Sequence, residues 1–238
     1  MISIVIAAYN EKRRIGISLK RIYNFFESRK DPHEIIVVND GSTDNTKDIL
    51  SELSAELPTL RFINSEKNKG KGFAVRTGIL ASRGRFVLLS DADLSTPIEE
   101  IEALLGFIRA KNYDIAIGSR GLQLSKIIRR QPWWRRGMGK IFNKIVKIFI
   151  LPDFHDTQCG FKLFKGAAAR ELFEELKTDR FAFDVEILAR AKKKDYKIVE
   201  VPVRWLDSDQ SKVNPILDPL IMIKDIVRIR LALGNLKK

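Results

Sequence analysis

Short apolar runs, each ending in a polar cluster or a turn and most followed by a helix-like stretch, recur through the first half of the chain and restrict how it can fold. Ile2 to Ala7, Glu34 to Val38, Leu60 to Asn64, Arg85 to Ser90 and Asp114 to Gly118 read as strands. Lys12 to Ser28, the stretch after Ser42 to about Glu56, and Gly72 to Ser82 read as helices. Thr96-Pro97-Ile98-Glu99 predicts an N-cap, a proline at the first helical position and a capping-box glutamate for a helix running to about Lys111. This alternation predicts an α/β fold, a mostly parallel sheet with helices on both faces. The 238 residues suffice for one such domain, with or without an appendage.

In open sheets of this kind ligands bind beyond the carboxyl ends of the strands. Four strand ends here carry polar groups: Tyr9-Asn10-Glu11, Asn39-Asp40-Gly41-Ser42, Asp91-Ala92-Asp93 and Gly118-Ser119-Arg120. Two carboxylates two residues apart, just past a buried strand, can hold one hard cation such as Mg²⁺ or Mn²⁺, which commonly bridges to substrate phosphates. Asp40 can accept a hydrogen bond from the imide N–H of a pyrimidine, and Gly41 permits close backbone approach. Asn68-Lys69-Gly70-Lys71-Gly72 resembles a phosphate-cradling loop, without Walker A spacing. Singly, each motif serves equally well as a turn or helix cap; together, at successive strand ends, they point to a nucleotide site.

The charge balance narrows the partners. Lys and Arg total 43 against 30 Asp and Glu. From Ile115 to Pro152 there is no acidic residue, while Arg120, Lys126, Arg129, Arg130, Arg135, Arg136, Lys140, Lys144 and Lys147 are basic. Within that segment Trp133 and Trp134 are adjacent, and Met138, Ile141, Phe142, Ile145, Ile148 and Phe149 share one predicted helical face, opposite Lys140, Asn143, Lys144 and Lys147. Aromatics and lysines around an apolar stripe predict a helix lying in an anionic membrane surface. A second amphipathic helix, from about Ile216 to Leu233, has Leu220, Ile223, Val227 and Leu231 apolar and Lys224, Arg228 and Arg230 polar. No run of apolar residues is long enough to span a bilayer, and Met1 to Ala8 reads as a first strand, not a signal peptide. The single cysteine, Cys159, reads as packing and excludes an internal disulfide. His33 and His155 lack metal-ligand spacing.

The motifs also carry a resemblance. Ala8-Tyr9-Asn10-Glu11, Asn39-Asp40-Gly41-Ser42 with Asp44, the Asn68 to Gly72 turn and Asp91-Ala92-Asp93 agree in order and spacing with the family-2 glycosyltransferases, whose fold is the Rossmann-like GT-A type. Further along, Gly118-Ser119-Arg120, the run from Asp156 to Phe164 (DTQCGFKLF), Phe181-Ala182-Phe183-Asp184-Val185-Glu186, Glu200-Val201-Pro202-Val203 with Trp205, and Ser211-Lys212 resemble the dolichyl-phosphate β-glucosyltransferases. Dolichol-phosphate mannose synthases are more distant. The resemblance covers nearly the whole chain. It implies that Ala8, Tyr9, Glu11 and Asp40, with Lys71, contact the nucleotide, and that Asp91, Ala92 and Asp93 hold the metal and diphosphate. Arg120 and one of Arg135 or Arg136 would bind the acceptor phosphate, with Lys212 as a late phosphate contact. Asp184 or Glu186 would be a base or sugar-binding acid. Ser95 stands where the mannose synthases carry a glutamine ligand, so the third protein ligand stays open.

The reaction so implied is metal-dependent, inverting transfer of a hexose, glucose from UDP-glucose, to dolichyl or polyprenyl phosphate; GDP-mannose or UDP-N-acetylglucosamine as donor, or another acceptor, is the alternative. A phosphate monoester is largely dianionic at neutral pH and needs no general base. It needs charge compensation and positioning, which the basic segment offers. A nucleic-acid binder would interleave cations with stacking aromatics; here they alternate with aliphatics, so nucleic acid is not expected. A non-catalytic adaptor would not be expected to keep Asp40, Asp91 and Asp93. The expected partners are the nucleotide sugar, the lipid phosphate and an anionic membrane surface, with a homodimer left open. The expected location is peripheral, on the cytoplasmic face. Residues 1–212 are read as the catalytic domain, with the basic segment at about 120–152, and 213–238 as a membrane-surface helix.

Overall fold

The computed structural model describes residues 1–129, 133–207 and 217–234, with backbone alone at 129 and 133–136. The described elements are β1 (Ile2–Ala8), α1 (Ile15–Ser28), β2 (His33–Asp40), α2 (Thr46–Glu56), β3 (Leu60–Ser65), α3 (Lys71–Leu80), β4 (Phe86–Asp91), α4 (Ile101–Lys111), β5 (Ile115–Ser119), β6 (Lys126–Arg129), α5 (Trp133–Phe149), β7 (Lys162–Lys165), α6 (Gly166–Glu174), α7 (Phe183–Lys193), β8 (Ile198–Pro202), β9 (Arg204–Leu206) and α8 (Leu217–Leu233). Seven strands form one sheet in the order β3-β2-β1-β4-β7-β5-β8. It is parallel except at β7, as the alternation of strands and helices predicts.

The two-residue period of β1 builds both layers. Ile2, Ile4, Ile6 and Ala8 face a core shared with α1, α2 and α4. Val5 faces a second core built with α3, α5, α6, α7 and α8. Register then aligns the strand ends: Ala8 lies opposite Asn39 on β2, and Ala7 opposite Asp91 on β4. The polar groups that follow these strands therefore emerge along one edge.

β7 was not foreseen, because Lys162 interrupts the apolar pattern between Phe161 and Phe164. It runs antiparallel between β4 and β5, so its first residue, Lys162, lies opposite both Leu89 and Ile117 near those strands' carboxyl ends. The loop from Asp156 to Gly160 is thereby delivered to the ligand edge. The run Lys197 to Trp205 is divided between two strands. The β5–β8 ladder ends with Ser119 opposite Pro202, which has no N–H to continue it. Beyond it β9 joins β6, also unforeseen, in a separate two-stranded parallel ladder.

The capping box does not form. Pro97 stays extended (ψ 143°) and no side chain caps the short 3₁₀ turn Ile98–Glu100 that precedes α4. Thr96 is buried, with its hydroxyl 3.8 Å from Cys159 Sγ, and Glu99 is held by Arg21 at 3.0 Å.

The two amphipathic helices dock on the second core, which revises the membrane reading of α5. Phe142 is buried there beside Val146 and Ile150, and Ile145 packs against the same cluster. These two are core residues, whereas Ile141 (64%), Ile148 and Phe149 remain exposed. At 100° per residue, positions 142, 146 and 150 turn inward while 141 and 148 cannot. The residues Trp133, Trp134, Arg135 and Arg136 lie on the helical backbone of α5, with side chains outside the described atoms. In α8, Met222, Ile226, Ile229 and Leu233 are buried in the core, so the helix is part of the folded unit. Its opposite face exposes Leu220, Ile223, Val227 and Leu231. No described helix is long and apolar enough to cross a membrane.

Candidate active site

A cavity of about 800 Å³ opens beyond the carboxyl ends of β1, β2, β4 and β5. Of the residues singled out from the sequence, Ala8, Tyr9, Glu11, Asp40, Lys71, Asp91, Ala92, Asp93 and Arg120 line it.

The β1 and β2 loops are stitched together by short polar side chains. Asn10 sits at φ 55°, a left-handed conformation that asparagine tolerates. Its Oδ1 accepts from the Thr43 amide (2.8 Å), and its own N–H donates to Ser42 Oγ (2.9 Å). The Glu11 amide donates to Thr46 Oγ1 (2.8 Å). Asn10 thus serves the loop, not a ligand. Asp40 accepts from the amides of Lys69 (2.9 Å) and Gly70 (2.8 Å), one on each carboxylate oxygen, and so anchors the turn that leads into α3. Gly70 is required there: its φ is 114°, and a Cβ would meet the Asp179 carbonyl oxygen at 2.4 Å.

That turn sets Lys71 at the start of α3, where its ammonium donates to Asp91 Oδ1 at 2.6 Å. Burial works against both charges, but the pair outweighs it: the Lys71 pKa is raised and the Asp91 pKa lowered. Asp93 makes the matching contact. Arg14 Nη1 lies 3.2 Å from Asp93 Oδ2, while the same guanidinium clamps Glu11 through Nε and through Nη2 (2.7 Å). The other Asp93 oxygen accepts the Ser95 amide (3.0 Å). Gly160 presses its backbone on Asp91, since a Cβ there would fall 1.9 Å from Asp91 Oδ2. This contact accounts for the glycine in the Asp156-to-Gly160 run.

Arg120 enters from the end of β5. Its guanidinium forms a fork with Asp156 (Nε to Oδ2 2.6 Å, Nη2 to Oδ1 2.9 Å) and lies over the Trp205 ring at 5.4 Å. Burial alone would raise the Asp156 carboxyl, but the Arg120 charge and hydrogen bonds hold it down to about 2. Glu200 in turn accepts from the amides of His155 (2.8 Å) and Asp156 (2.9 Å). A chain of contacts from β8 therefore fixes one cation at the cavity wall.

Asp184 and Glu186 do not reach the cavity lining. Asp184 is buried against Lys162 Nζ at 2.6 Å, and burial raises its pKa despite that partner. Lys162 Nζ also donates to the Cys159 carbonyl at 2.5 Å, so the pair supports the loop beneath Asp91. Glu186, 3% exposed, accepts from the Lys177 amide (3.1 Å), Thr178 Oγ1 (2.5 Å) and Arg190 Nε (2.8 Å). Its carboxylate holds the turn before α7 and lies outside the cavity lining. Lys212 lies outside the described residues.

The sequence reading missed other lining residues: Arg14, Arg180, Asp207, and, from α8, Leu217, Asp218 and Ile221. Arg14 could have been found from its i,i+3 spacing to Glu11. Arg180, whose Nη1 lies 3.4 Å from Asp218 Oδ1, joins segments far apart in the chain, and no local signal marks it.

Asp91 and Asp93 suit a hard divalent cation by their oxygen donors. Among the described residues no third His, Cys, Asp or Glu completes a cluster. Such a cation commonly takes one or two carboxylates and fills its remaining positions from phosphate and water, so the residues present fit.

A doubly wound sheet with an acid pair, a glycine-lysine turn and fixed arginines around one strand-end cavity defines a nucleotide-dependent transferase of the GT-A type. The model of glycosyl transferase family 2 matches residues 3–173, and the chain belongs to that family; it is a glycosyltransferase. The dolichyl-phosphate beta-glucosyltransferase of Dictyostelium discoideum is 37% identical over 240 residues, covering 96% of this chain and 73% of the relative. That of Homo sapiens is 35% identical over 242 residues, covering 97% and 75%. Among solved structures, glucosyl-3-phosphoglycerate synthase from Mycobacterium tuberculosis with UDP superposes at a TM-score of 0.68 and 17% identity, over all of this chain and 81% of that one. The mannosyltransferase PcManGT from Pyrobaculum calidifontis, in complex with GDP-Man and Mn²⁺, gives 0.61 and 20%, over 89% and 57%. At these identities the solved structures share the fold.

Proposed function

We propose that the protein transfers glucose from UDP-glucose to dolichyl or a related polyprenyl phosphate, inverting the anomeric centre to give a β-linked lipid-phosphate sugar. The observation that carries the acceptor class is the composition of the cavity wall. Leu217 and Ile221 of α8 line the cavity, and the same helix exposes Leu220, Ile223, Val227 and Leu231 along its outer side. A charged cavity walled by a helix with an exposed apolar stripe suits an acceptor whose head is a phosphate and whose tail is a hydrocarbon. The relatives named for this reaction match nearly the whole chain and support the same reading.

In this reading the strand-end loops bind the nucleotide, with Ala8, Tyr9, Glu11 and Asp40 around the nucleoside and Lys71 toward the diphosphate. A divalent cation, Mg²⁺ or Mn²⁺, on Asp91 and Asp93 would offset charge on the departing diphosphate. Arg120, fixed by Asp156 and Trp205, offers a cation to the acceptor phosphate, with Arg135 or Arg136 and Lys212 as further contacts. An acceptor phosphate oxygen forms the new bond to the anomeric carbon as the bond to the diphosphate oxygen breaks. The dianion carries its own nucleophilic charge, so no base is required, in keeping with the engagement of Glu186. The protein then sits peripherally on the cytoplasmic face of an anionic membrane. The exposed stripes of α5 and α8 lie in that surface, and the boundary near 212 separates two tasks within one core.

The test is transfer by the purified chain with Mn²⁺ or Mg²⁺, dolichyl phosphate and a panel of labelled nucleotide sugars. Label from UDP-glucose in the lipid phase, lost with EDTA, is the expected result. Label from GDP-mannose or UDP-N-acetylglucosamine keeps the mechanism and changes the sugar, and no lipid label from any donor overturns the acceptor.

A further inference from the structure

Each carboxylate of the acid pair is already held by a cation from the cavity wall: Asp91 by Lys71 at 2.6 Å and Asp93 by Arg14 at 3.2 Å. The two cations come from different elements, Lys71 from the first turn of α3 and Arg14 from the loop ahead of α1. Neither belongs to the acid-pair loop, and both line the same cavity. We propose that Lys71, with Arg14 beside it, is a placeholder for the metal: it occupies Asp91 until metal and diphosphate arrive, then yields the carboxylate to the metal and turns to the phosphate oxygens.

Charge conservation argues for the exchange. In the free protein Lys71 and Arg14 offset the two carboxylates one for one, and Arg14 also holds Glu11. The diphosphate of a nucleotide sugar brings two negative charges and a divalent metal two positive ones. Joint binding with a change of partners adds no net charge, and every charge keeps an opposite neighbour. A metal alone would displace Lys71 and Arg14 and leave them facing it. A diphosphate alone would leave Asp91 and Asp93 facing it. In a partly desolvated cavity both uncompensated states are costly. The two cations are also built differently. Arg14 is clamped through two nitrogens by Glu11 and stays in place when Asp93 turns away. Lys71 has a flexible stem and point charge at a helix start, where backbone N–H groups also favour an anion. The moving part is therefore Lys71.

The inference rests on Asp91 and Asp93 being the metal site, and the experiment separates the two. Mn²⁺ binding to the full chain is followed by paramagnetic resonance of the free ion, with Mn²⁺ alone, with UDP and with GDP. Wild type is expected to bind Mn²⁺ weakly alone and about tenfold or more tightly with a diphosphate, a coupling of ordinary size. Lys71→Met is expected to bind Mn²⁺ alone about tenfold more tightly than wild type, because Asp91 is released, and to show a smaller gain from the diphosphate. Lys71→Met that binds Mn²⁺ alone no more tightly than wild type, with the gain from diphosphate unchanged, overturns the placeholder. Diphosphate-dependent Mn²⁺ binding that survives in both Asp91→Asn and Asp93→Asn overturns the metal site itself. Lys71→Gln carries the same expectations should Lys71→Met fail to fold.

Discussion

Two acid pairs of the same spacing, Asp91 with Asp93 at the end of β4 and Asp184 with Glu186 in the first turn of α7, are set to different tasks by the structure. At a strand end, a tight loop turns both side chains into one cavity, where each meets a cation. On a helix, residues i and i+2 point about 200° apart. Asp184 accordingly turns to Lys162 and Glu186 to Thr178 and Arg190. The strand-end pair is partly open to solvent, while the helical pair is sealed. Spacing alone says nothing about function until the element that carries it is known.

The comparison breaks most sharply at the strand-end pair. Asp93→Asn is expected to lower the transfer rate by about a hundred- to a thousandfold, the scale for losing one electrostatic stabiliser of developing charge, with the melting temperature little changed. A full-rate Asp93→Asn, measured as label transferred to lipid, would deny that the pair is the reacting one. The opposite pattern is expected at the helix. Glu186→Ala leaves Arg190 with Glu175 alone and the Thr178 hydroxyl and Lys177 amide without their acceptor, and should cost roughly 1–3 kcal/mol of stability, read by chemical denaturation. Activity per folded molecule should survive it. A stable Glu186→Ala protein with no turnover would return Glu186 to catalysis and collapse the distinction.

Asp156 lies between these extremes, buried like the helical pair but tied to a lining residue. Asp156→Asn weakens the fork that holds Arg120, and on the proposed reading raises KM for the lipid phosphate by about tenfold with a smaller change in kcat. A drop in kcat alone would mean that Arg120 does not serve the acceptor. The pH dependence has a definite sign. The folded carboxyl, at about 2, lies below the unfolded value of about 3.9. Its stabilisation is therefore complete above about pH 4 and lost as the pH falls toward 2. Acid titration of wild type against Asp156→Asn checks this, the variant lacking that part of the acid sensitivity.

What could be read from the sequence follows the same division. β1 to β4 and the groups at their ends were legible because apolar period and turn chemistry are local, and parallel register brings strand ends together of itself. Arg14 and the Lys71–Asp91 contact were not, since they depend on how a loop side chain crosses the cavity. β7 was hidden because Lys162 at its start is a buried cation paired with Asp184, which breaks the apolar pattern a central strand would show. Phe142 was misassigned to the membrane because an apolar stripe looks the same whether it faces lipid or core; only the packing of α5 separates it from Ile141.

The smallest expected effect concerns the surface that this packing leaves exposed. On α8, Leu220 (63% exposed) and Leu231 (79%) lie opposite the buried Met222, Ile226 and Ile229, so changing them touches no core contact. Leu220→Glu together with Leu231→Glu should leave the melting temperature within a few degrees of wild type, as exposed sites do. If this stripe lies in the membrane surface, the double variant removes apolar area from the interface and adds charge repelled by anionic lipid, and binding to vesicles containing phosphatidylserine should fall several-fold. Transfer to a short, water-soluble polyprenyl phosphate should be unchanged, since Leu217 and Ile221 still wall the cavity. Equal loss with the soluble acceptor would place these leucines in acceptor binding, and no loss with either would leave the membrane contact to α5.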